Sequence, residues 1–373
     1  MRIVFWGTYD LGKPRVRIML RGLRENGVEV IECHRDIWKG TEDKSQLYWQ
    51  KKMRIAGRWL LAYPFLILCY LKQPKHDLVI VGYLGHLDVL VLWFFAKLRG
   101  TPVVWDVFLS LYDTVVRDRK LFRPGSVPAR LLYGLEWIAS RASSLVLLDT
   151  ATHATYFGER YKIPAEKLAY VFVGVEPEFF PYREPQTQSA FVTVLFYGQF
   201  IPLHGIETIV EAARELEDRP IKWIMIGQGQ EGLKISKILA LKPLASLLWI
   251  PWVPYHELSA WIAQADICLG IFGKSGKASR VIPNKVFQVL ASGKPLITGD
   301  TPAIRELLSP EMEGVYLIPV GDAHALADTV ANWNMVKRQN KRFHVPLCDQ
   351  IVPYAIGTGL LKHINKIVKM KHV

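Results

Sequence analysis

The chain lacks the local signatures of several enzyme classes. The glycines after the first strand do not form GxGxxG, and the chain has no HExxH, no CxxC, no readable Ser-His-Asp or Cys-His arrangement, and no DxD near an expected strand end. These absences argue against metalloprotease, serine or cysteine hydrolase, redox-dithiol and metal-dependent readings. The four cysteines, Cys33, Cys69, Cys268 and Cys348, stand far apart and read as reduced thiols of a cytosolic protein with no metal site. No Lys/Arg run reaches five residues, so a simple nucleic-acid-binding tail is not expected. A charged n-region with an apolar core and a cleavage site is also missing, so no signal peptide is expected. The apolar, uncharged run Trp59–Leu71 contains Pro64 and is too short to span a bilayer.

What is present is a globular composition with a basic excess. Hydrophobic residues make up 50% and charged residues 22% of 373 positions, enough for one large or two medium cores. Lys and Arg number 47 against 34 Asp and Glu, a net charge of +13. That excess implies a polyanionic neighbour: nucleic acid, anionic lipid or a phosphorylated substrate. The run Trp59–Leu71 reads equally as a core helix or as a helix lying on a membrane. Lys51, Lys52, Arg54 and Arg58 flank it, and Trp49, Trp59, Tyr63, Phe65 and Tyr70 supply aromatics.

Short apolar runs alternate with helix-length segments. Arg2–Trp6, Val28–Cys33, Leu78–Val81, Pro102–Trp105 and Leu145–Leu148 predict strands, separated by helices over Pro14–Asn26, Leu47–Leu71, Val89–Leu98 and Ala129–Ser140. The pattern pauses in a Pro-, Glu- and Gln-rich stretch from Glu176 to Ala190 that reads as a linker. It restarts with strands at Phe191–Tyr197, Lys222–Ile226, Leu248–Val253, Ile267–Ile271, Pro295–Thr298 and Gly314–Ile318. The expected fold class is α/β, with two Rossmann-like doubly wound parallel-sheet domains facing a cleft. The expected boundaries are residues 1–180 and 190–350, with a helix over 351–373 packing back.

The stretch from Val281 to Pro295 carries the most chemistry. Pro283 suits a first helical turn and Gly293 a left-handed helix end. Asn284 and Lys285 then fall at a helix N-terminus, where free N–H groups favour an anion, and Gln288 lies one turn on along the same face. An ordinary capped helix fits the same residues. Lys274, Lys277 and Arg280 add three positive charges just upstream, as a diphosphate clamp or a solvated basic loop. Gly198 and Gly205 bracket a loop holding Gln199 and His204, while Gly227 and Gly229 follow the next strand. Each pair alone is ordinary turn chemistry; three such elements on one sheet point to phosphate. In the first half, Gly12 and Arg15 follow the first strand, Asp106 the fourth, and Asp149, Thr150 and His153 the fifth.

Taken together, from Phe196 to Leu308 most strongly, these residues resemble retaining glycosyltransferases of family 4, with the GT-B fold. The family's glycine, arginine and lysine loop is similar to Gly198–Gly205 here, with Gln199 and His204 in the charged places. Its two-glutamate signature is similar to Arg280–Pro295, with Arg280 and Gln288 replacing the glutamates. The Pro-Asn-Lys-Val-Phe stretch resembles a branch that uses Asn and Lys at the phosphates. The resemblance implies a nucleotide-diphosphate sugar donor held by Gly198, Gln199, Gly227, Gly229, Lys277, Arg280, Asn284, Lys285 and Gln288. It implies His204, Asp106 and Lys285 as catalytic groups and Gly12, Arg15 and His153 beside a glycan or lipid-linked acceptor. No cofactor or metal would be required and no nucleic acid bound. The site would be cytoplasmic, at or near the inner membrane face.

Overall fold

The computed structural model describes residues 1–37, 49–184, 190–333 and 342–371. The start of the helix expected from Leu47 and residues 185–189 of the expected linker lie outside the described residues. The chain forms two units, one of Met1–Val116, Phe122–Gly174 and Val352–Val373, the other of Arg117–Leu121 and Val175–Ile351.

The first unit alternates strand and helix. Its elements are β1 (Arg2–Gly7), α1 (Pro14–Glu25), β2 (Glu29–His34), α2 (Trp49–Lys72), β3 (Leu78–Val81), α3 (His86–Leu98), β4 (Val103–Phe108), α4 (Val127–Ala142), β5 (Leu145–Leu148), α5 (Ala151–Tyr161) and β6 (Leu168–Tyr170). The strands form one sheet in the order β2-β1-β3-β4-β5-β6, all pairs parallel. Both sheet faces are covered, which is why its inner strands are continuous apolar runs with no alternation. Val4, Trp6, Val79, Val81 and Trp105 pack under α2, α3 and α5. Ile3, Phe5, Leu78, Ile80 and Val104 pack on the other side.

The second unit repeats the plan with β7 (Val192–Tyr197), α6 (Ile206–Glu215), β8 (Ile221–Ile226), α7 (Gly232–Leu241), β9 (Leu247–Ile250), α8 (Leu258–Gln264), β10 (Ile267–Leu269), α9 (Asn284–Ala291), β11 (Leu296–Gly299), β12 (Val315–Ile318), α10 (Ala323–Ala331) and α11 (Val345–Ile351). Its parallel sheet runs β12-β11-β10-β7-β8-β9. The chain then returns to the first unit as α12 (Pro353–Lys371), which buries Ile356, Leu360 and Ile364 against the α1 side of the first sheet. Gly22 and Gly357 let the two helices touch backbone to backbone: a Cβ on Gly22 would stand 2.2 Å from the Pro353 carbonyl oxygen.

Four features differ from the sequence expectations. Strand β4 runs three residues further, through Asp106 to Phe108 with a register shift between them, so Asp106 lies inside the sheet and not beyond its edge. Strand β6 had no separate signal. The described part of the expected linker is packed: Phe180 is buried and sets its ring 5.5 Å from that of Tyr255, edge-on. Cys33 and Cys69, far apart in sequence, are neighbours, with their sulfurs 2.7 Å apart.

Candidate functional site

The site in the second unit is built where β7, β8 and β10 end and α9 begins. Pro283 caps α9 one residue ahead of the expected position, with φ −70° and ψ 150°. It offers no side-chain cap to the first helical N–H groups. Gly293, at φ +65°, closes the far end, as a left-handed residue must.

Lys285, in the first turn of α9, is buried. Its Nζ sits 3.6 Å over the centre of the Phe196 ring, and no hydrogen-bond partner satisfies it among the described residues. Burial holds this amine well below the ordinary lysine range, because leaving water penalises the charged form. Gly198 stands at the end of β7 with φ +145°. A Cβ there would lie 3.0 Å from both Lys285 Nζ and His204 Cε1. The glycine thus keeps open the space onto which both side chains face. Gly227, one strand over, lets the end of β8 approach the Gly198 backbone, since a Cβ on it would lie 1.8 Å from the Gly198 carbonyl oxygen.

His204 is buried and hydrogen-bonds through Nδ1 to the Gln199 carbonyl. A carbonyl only accepts, so Nδ1 carries the proton and the Nε2 lone pair is left for other work. Burial first, and the nearby Lys285 charge second, hold its pKa well below the ordinary histidine value. Gln288 is also buried. Its Oε1 accepts from Tyr197 Oη at 3.0 Å and its Nε2 donates to Tyr255 Oη at 3.3 Å. One lone pair and one N–H of the amide remain for a ligand. Tyr197 and Tyr255 were not singled out from the sequence. Tyr197 closes a buried strand, and nothing local marks it as more than core.

The basic loop after β10 is held by a piece of chain from far upstream. Ser275 Oγ donates to Asp118 Oδ1 at 2.7 Å, and Arg119 donates to the Gln199 side chain at 3.3 Å. Both partners come from Arg117–Leu121, the segment that folds with the second unit. Lys277 is buried in this loop, Arg280 is half-buried one turn later, and Lys274 is exposed. Asn284 is half-buried at the first position of α9, and Gly229 lies against the Phe200 backbone. The structure therefore brings together Gly198, His204, Lys285 and Gln288, with Lys277 and Arg280 on the preceding loop.

The first-unit candidates are placed differently. Arg15 and Asp106 form a buried ion pair, with Arg15 Nη2 donating to Asp106 Oδ1 at 2.7 Å and Nε to Oδ2 at 3.0 Å. Arg15 also donates to the carbonyls of Val171 and Leu148. Both side chains are at most 1% exposed, so they serve to tie α1 to the sheet. Asp106, expected as a catalytic group, and Arg15, expected beside the acceptor, are thus placed in a buried pair with each other. Gly12 is exposed, its N–H held by Asp10. His153 is fully buried; its Nδ1 hydrogen-bonds to Asp149 Oδ1 at 2.6 Å, and Nε2 has no partner among the described residues. Asp88, also missed, fills the turn after β1: Thr8 donates to it from its N–H at 2.6 Å and from its hydroxyl. In a dinucleotide fold such N–H groups face a phosphate; here a carboxylate of the chain occupies them.

Two doubly wound parallel-sheet units in one chain give the architecture of the GT-B fold. Residues 192–333 match the family Glycosyl transferases group 1. A relative described as a colanic acid biosynthesis glycosyl transferase, WcaI of Escherichia coli (strain K12), is 30% identical over 108 residues, 29% of this chain and 26% of that protein's length. HepE of Anabaena, solved in complex with UDP, superposes with a TM-score of 0.68 at 13% identity over 98% of this chain and 100% of its own. A glycosyltransferase of Rickettsia africae gives 0.65 at 12% identity over 100% and 98%. Sucrose-phosphate synthase of Thermosynechococcus elongatus gives 0.63 at 14% over 100% and 97%. The architecture of these structures is the architecture of this chain.

Proposed function

We propose that this protein is a retaining glycosyltransferase that moves a sugar from a nucleotide-diphosphate sugar to a glycan or lipid-linked acceptor, working peripherally at an anionic membrane. The observation that carries the reading is Lys285: a buried amine with no hydrogen-bond partner among the described residues, at a helix N-terminus, beside a glycine where a Cβ would lie 3.0 Å from the amine. A diphosphate oxygen supplies what that amine lacks. HepE, of the same fold, was solved with UDP, which makes UDP the first nucleotide to try.

In this reading the bond from the sugar C1 to the β-phosphate oxygen breaks, and the acceptor oxygen bonds to C1 on the same face. The acceptor proton passes to the departing phosphate oxygen. Lys285 and the α9 N–H groups stabilise the charge that builds on the diphosphate. Lys277 and Arg280 add to that field. His204, with its Nε2 lone pair, contacts the leaving phosphate or the acceptor. Gln288 holds the ribose hydroxyls as a neutral donor and acceptor. Neutralisation by side chains leaves no role that a metal or cofactor must fill.

The test is thermal stabilisation by UDP, GDP, ADP, CMP and NAD(H) side by side, since a ligand that binds only the folded state raises its stability. Stabilisation by one nucleoside diphosphate supports the reading and names the base; stabilisation by NAD(H) alone overturns it. Incubation of the matching sugar nucleotide with and without acceptor then separates transfer from epimerisation. Binding with neither reaction would identify a non-catalytic homologue.

A further inference from the structure

One layer of the first unit carries an outward face that folding leaves uncovered. Helices α2, α3 and α4 pack side by side, and α2 and α3 lie on the same face of the sheet. Each turns a second apolar stripe away from the core. On α2 it includes Leu61, 80% exposed, and Leu68; on α3, Phe94 and Leu98; on α4, Leu131, 69% exposed, and Ile138. Helical spacing makes these true stripes: 61 and 68, 94 and 98, 131 and 138 each recur at one or two turns. Large apolar side chains left in water over three adjacent helices exceed what a monomer normally shows, and mark a partner or a membrane.

The charges identify which. The three helices together contain two carboxylates, Asp88 and Glu136, and both are buried. Among the described residues the exposed charges are all positive: Arg54, Arg58 and Lys72 on α2, Lys97 on α3, Arg130 and Arg141 on α4. Two of them lie over exposed indoles, Lys97 Nζ at 5.0 Å from the Trp93 ring centre and the Arg141 guanidinium at 3.7 Å from that of Trp137. A rim of Trp with Lys and Arg around an apolar centre fits the headgroup boundary of a bilayer. A second copy of this face would instead bring the cations against each other. The opposite layer, α1 with α12, shows no such surface: of its described large apolar residues only Tyr354 is exposed.

We infer that the outer face of α2, α3 and α4 is the membrane-docking surface, inserting its apolar centre into an anionic leaflet while its cations meet the headgroups. This deepens the peripheral-membrane part of the function proposed above and needs no nucleotide. The helix Met53–Lys72 is long and apolar enough to cross a bilayer by length and composition, which differs from the expectation for its uncharged core. Its inner stripe is committed to the sheet, however: Ile55, Ala62, Leu66 and Tyr70 are buried, and Trp6 Nε1 donates to the Leu66 carbonyl at 3.0 Å. A docked α2 lies along the membrane and does not cross it.

The test is co-sedimentation of the full chain with phosphatidylcholine vesicles, with and without phosphatidylglycerol. Binding is expected to the anionic vesicles, to persist in part at high salt through the apolar contacts, and to be reversed by an alkaline carbonate wash. The double variant Leu61→Glu/Leu131→Glu changes two exposed positions. It should lose vesicle binding at least tenfold while keeping the wild-type melting temperature and the wild-type response to nucleoside diphosphate. The control Leu233→Glu, at an exposed α7 position of the second unit, should bind vesicles like wild type. Absence of wild-type binding overturns the inference, and so does retention after carbonate, which would mean that α2 spans. A wild-type dimer that the double variant converts to monomer, with no vesicle binding by either, assigns the face to a second copy. Loss of nucleotide response with intact vesicle binding would count against the transferase reading alone.

Discussion

Lys285 Nζ stands 3.6 Å above the Phe196 ring and meets no hydrogen-bond acceptor among the described residues. An aromatic face returns about 2 kcal/mol to a desolvated cation, whereas taking an ammonium out of water costs several kcal/mol. The folded protein therefore carries an unbalanced lysine whose deficit an arriving anion would correct.

Replacing this lysine should separate stability from binding. Lys285→Met keeps the length and apolar character of the side chain. It should weaken nucleoside diphosphate binding about ten- to a hundredfold, the loss of a hydrogen bond to a charged group. The empty protein should melt higher, at about 2–4 °C per kcal/mol gained. Calorimetric titration and a melting curve check the two halves; wild-type affinity in the variant would remove Lys285 from the site.

The same residue sets a pH dependence. Its folded pKa lies below its unfolded value, so between the two the unfolded chain binds the extra proton. Stability of the empty protein should then rise with pH across that interval, while diphosphate affinity falls because the lysine must take up a proton to bind. Titrations in buffers of different ionisation enthalpy should show net proton uptake, absent in Lys285→Met. Equal heats in all buffers would contradict this.

Gln288 is expected to discriminate nucleotide from bare diphosphate. Gln288→Ala should weaken UDP binding about tenfold, the cost of one or two neutral hydrogen bonds, and leave inorganic pyrophosphate nearly unaffected. Equal losses for both ligands would mean that the amide acts only by bracing Tyr197 and Tyr255.

Asp106→Asn tests the buried pair in the first unit. Arg15 would keep its charge with its partner neutralised, and the protein should lose about 3–5 kcal/mol of stability while the nucleotide affinity of the folded fraction holds. A variant that melts like wild type yet has lost turnover would restore Asp106 to the reaction.

Cys33 and Cys69 should join under a mild thiol oxidant such as diamide, which takes up the two electrons and two protons that the thiols release. Burial, with the neighbouring Cys69, pushes the Cys33 thiol well above the ordinary range. Coupling should therefore be slow near neutrality and speed up with pH. Peptide mapping without reductant should find the 33–69 link and leave Cys268 free; recovery of both thiols would refute it.

The parts legible in the sequence are those whose cause is local. β3 and β5 begin and end where their apolar runs do, and Pro283 with Gly293 punctuates α9. The position of Lys285 at a helix start was readable for that reason, but its burial over Phe196 was not, because Phe196 lies on another strand. Asp106 was misplaced for the same reason. Its partner Arg15 is 91 positions away, and a strand that extends past its apolar run into an acidic residue gives no local sign that the acid is neutralised. The cysteine pair joins β2 to α2 across 36 positions, a distance over which spacing carries no information. The outward stripes of α2, α3 and α4 were partly visible in the run Trp59–Leu71, but which apolar residues face the sheet depends on the packing.

The chain passes from one unit to the other at residues 116–117, 121–122, 174–175 and 351–352. Neither half is a continuous stretch of sequence. The second unit excised as residues 175–351 would leave behind Asp118 and Arg119, the partners of Ser275 and Gln199. The remaining N-terminal fragment would lose α12 and bare the flank of α1. Exchange of the second unit between proteins of this architecture is thus not a single crossover: a folded chimera must carry the five-residue splint 117–121 along with the unit it braces.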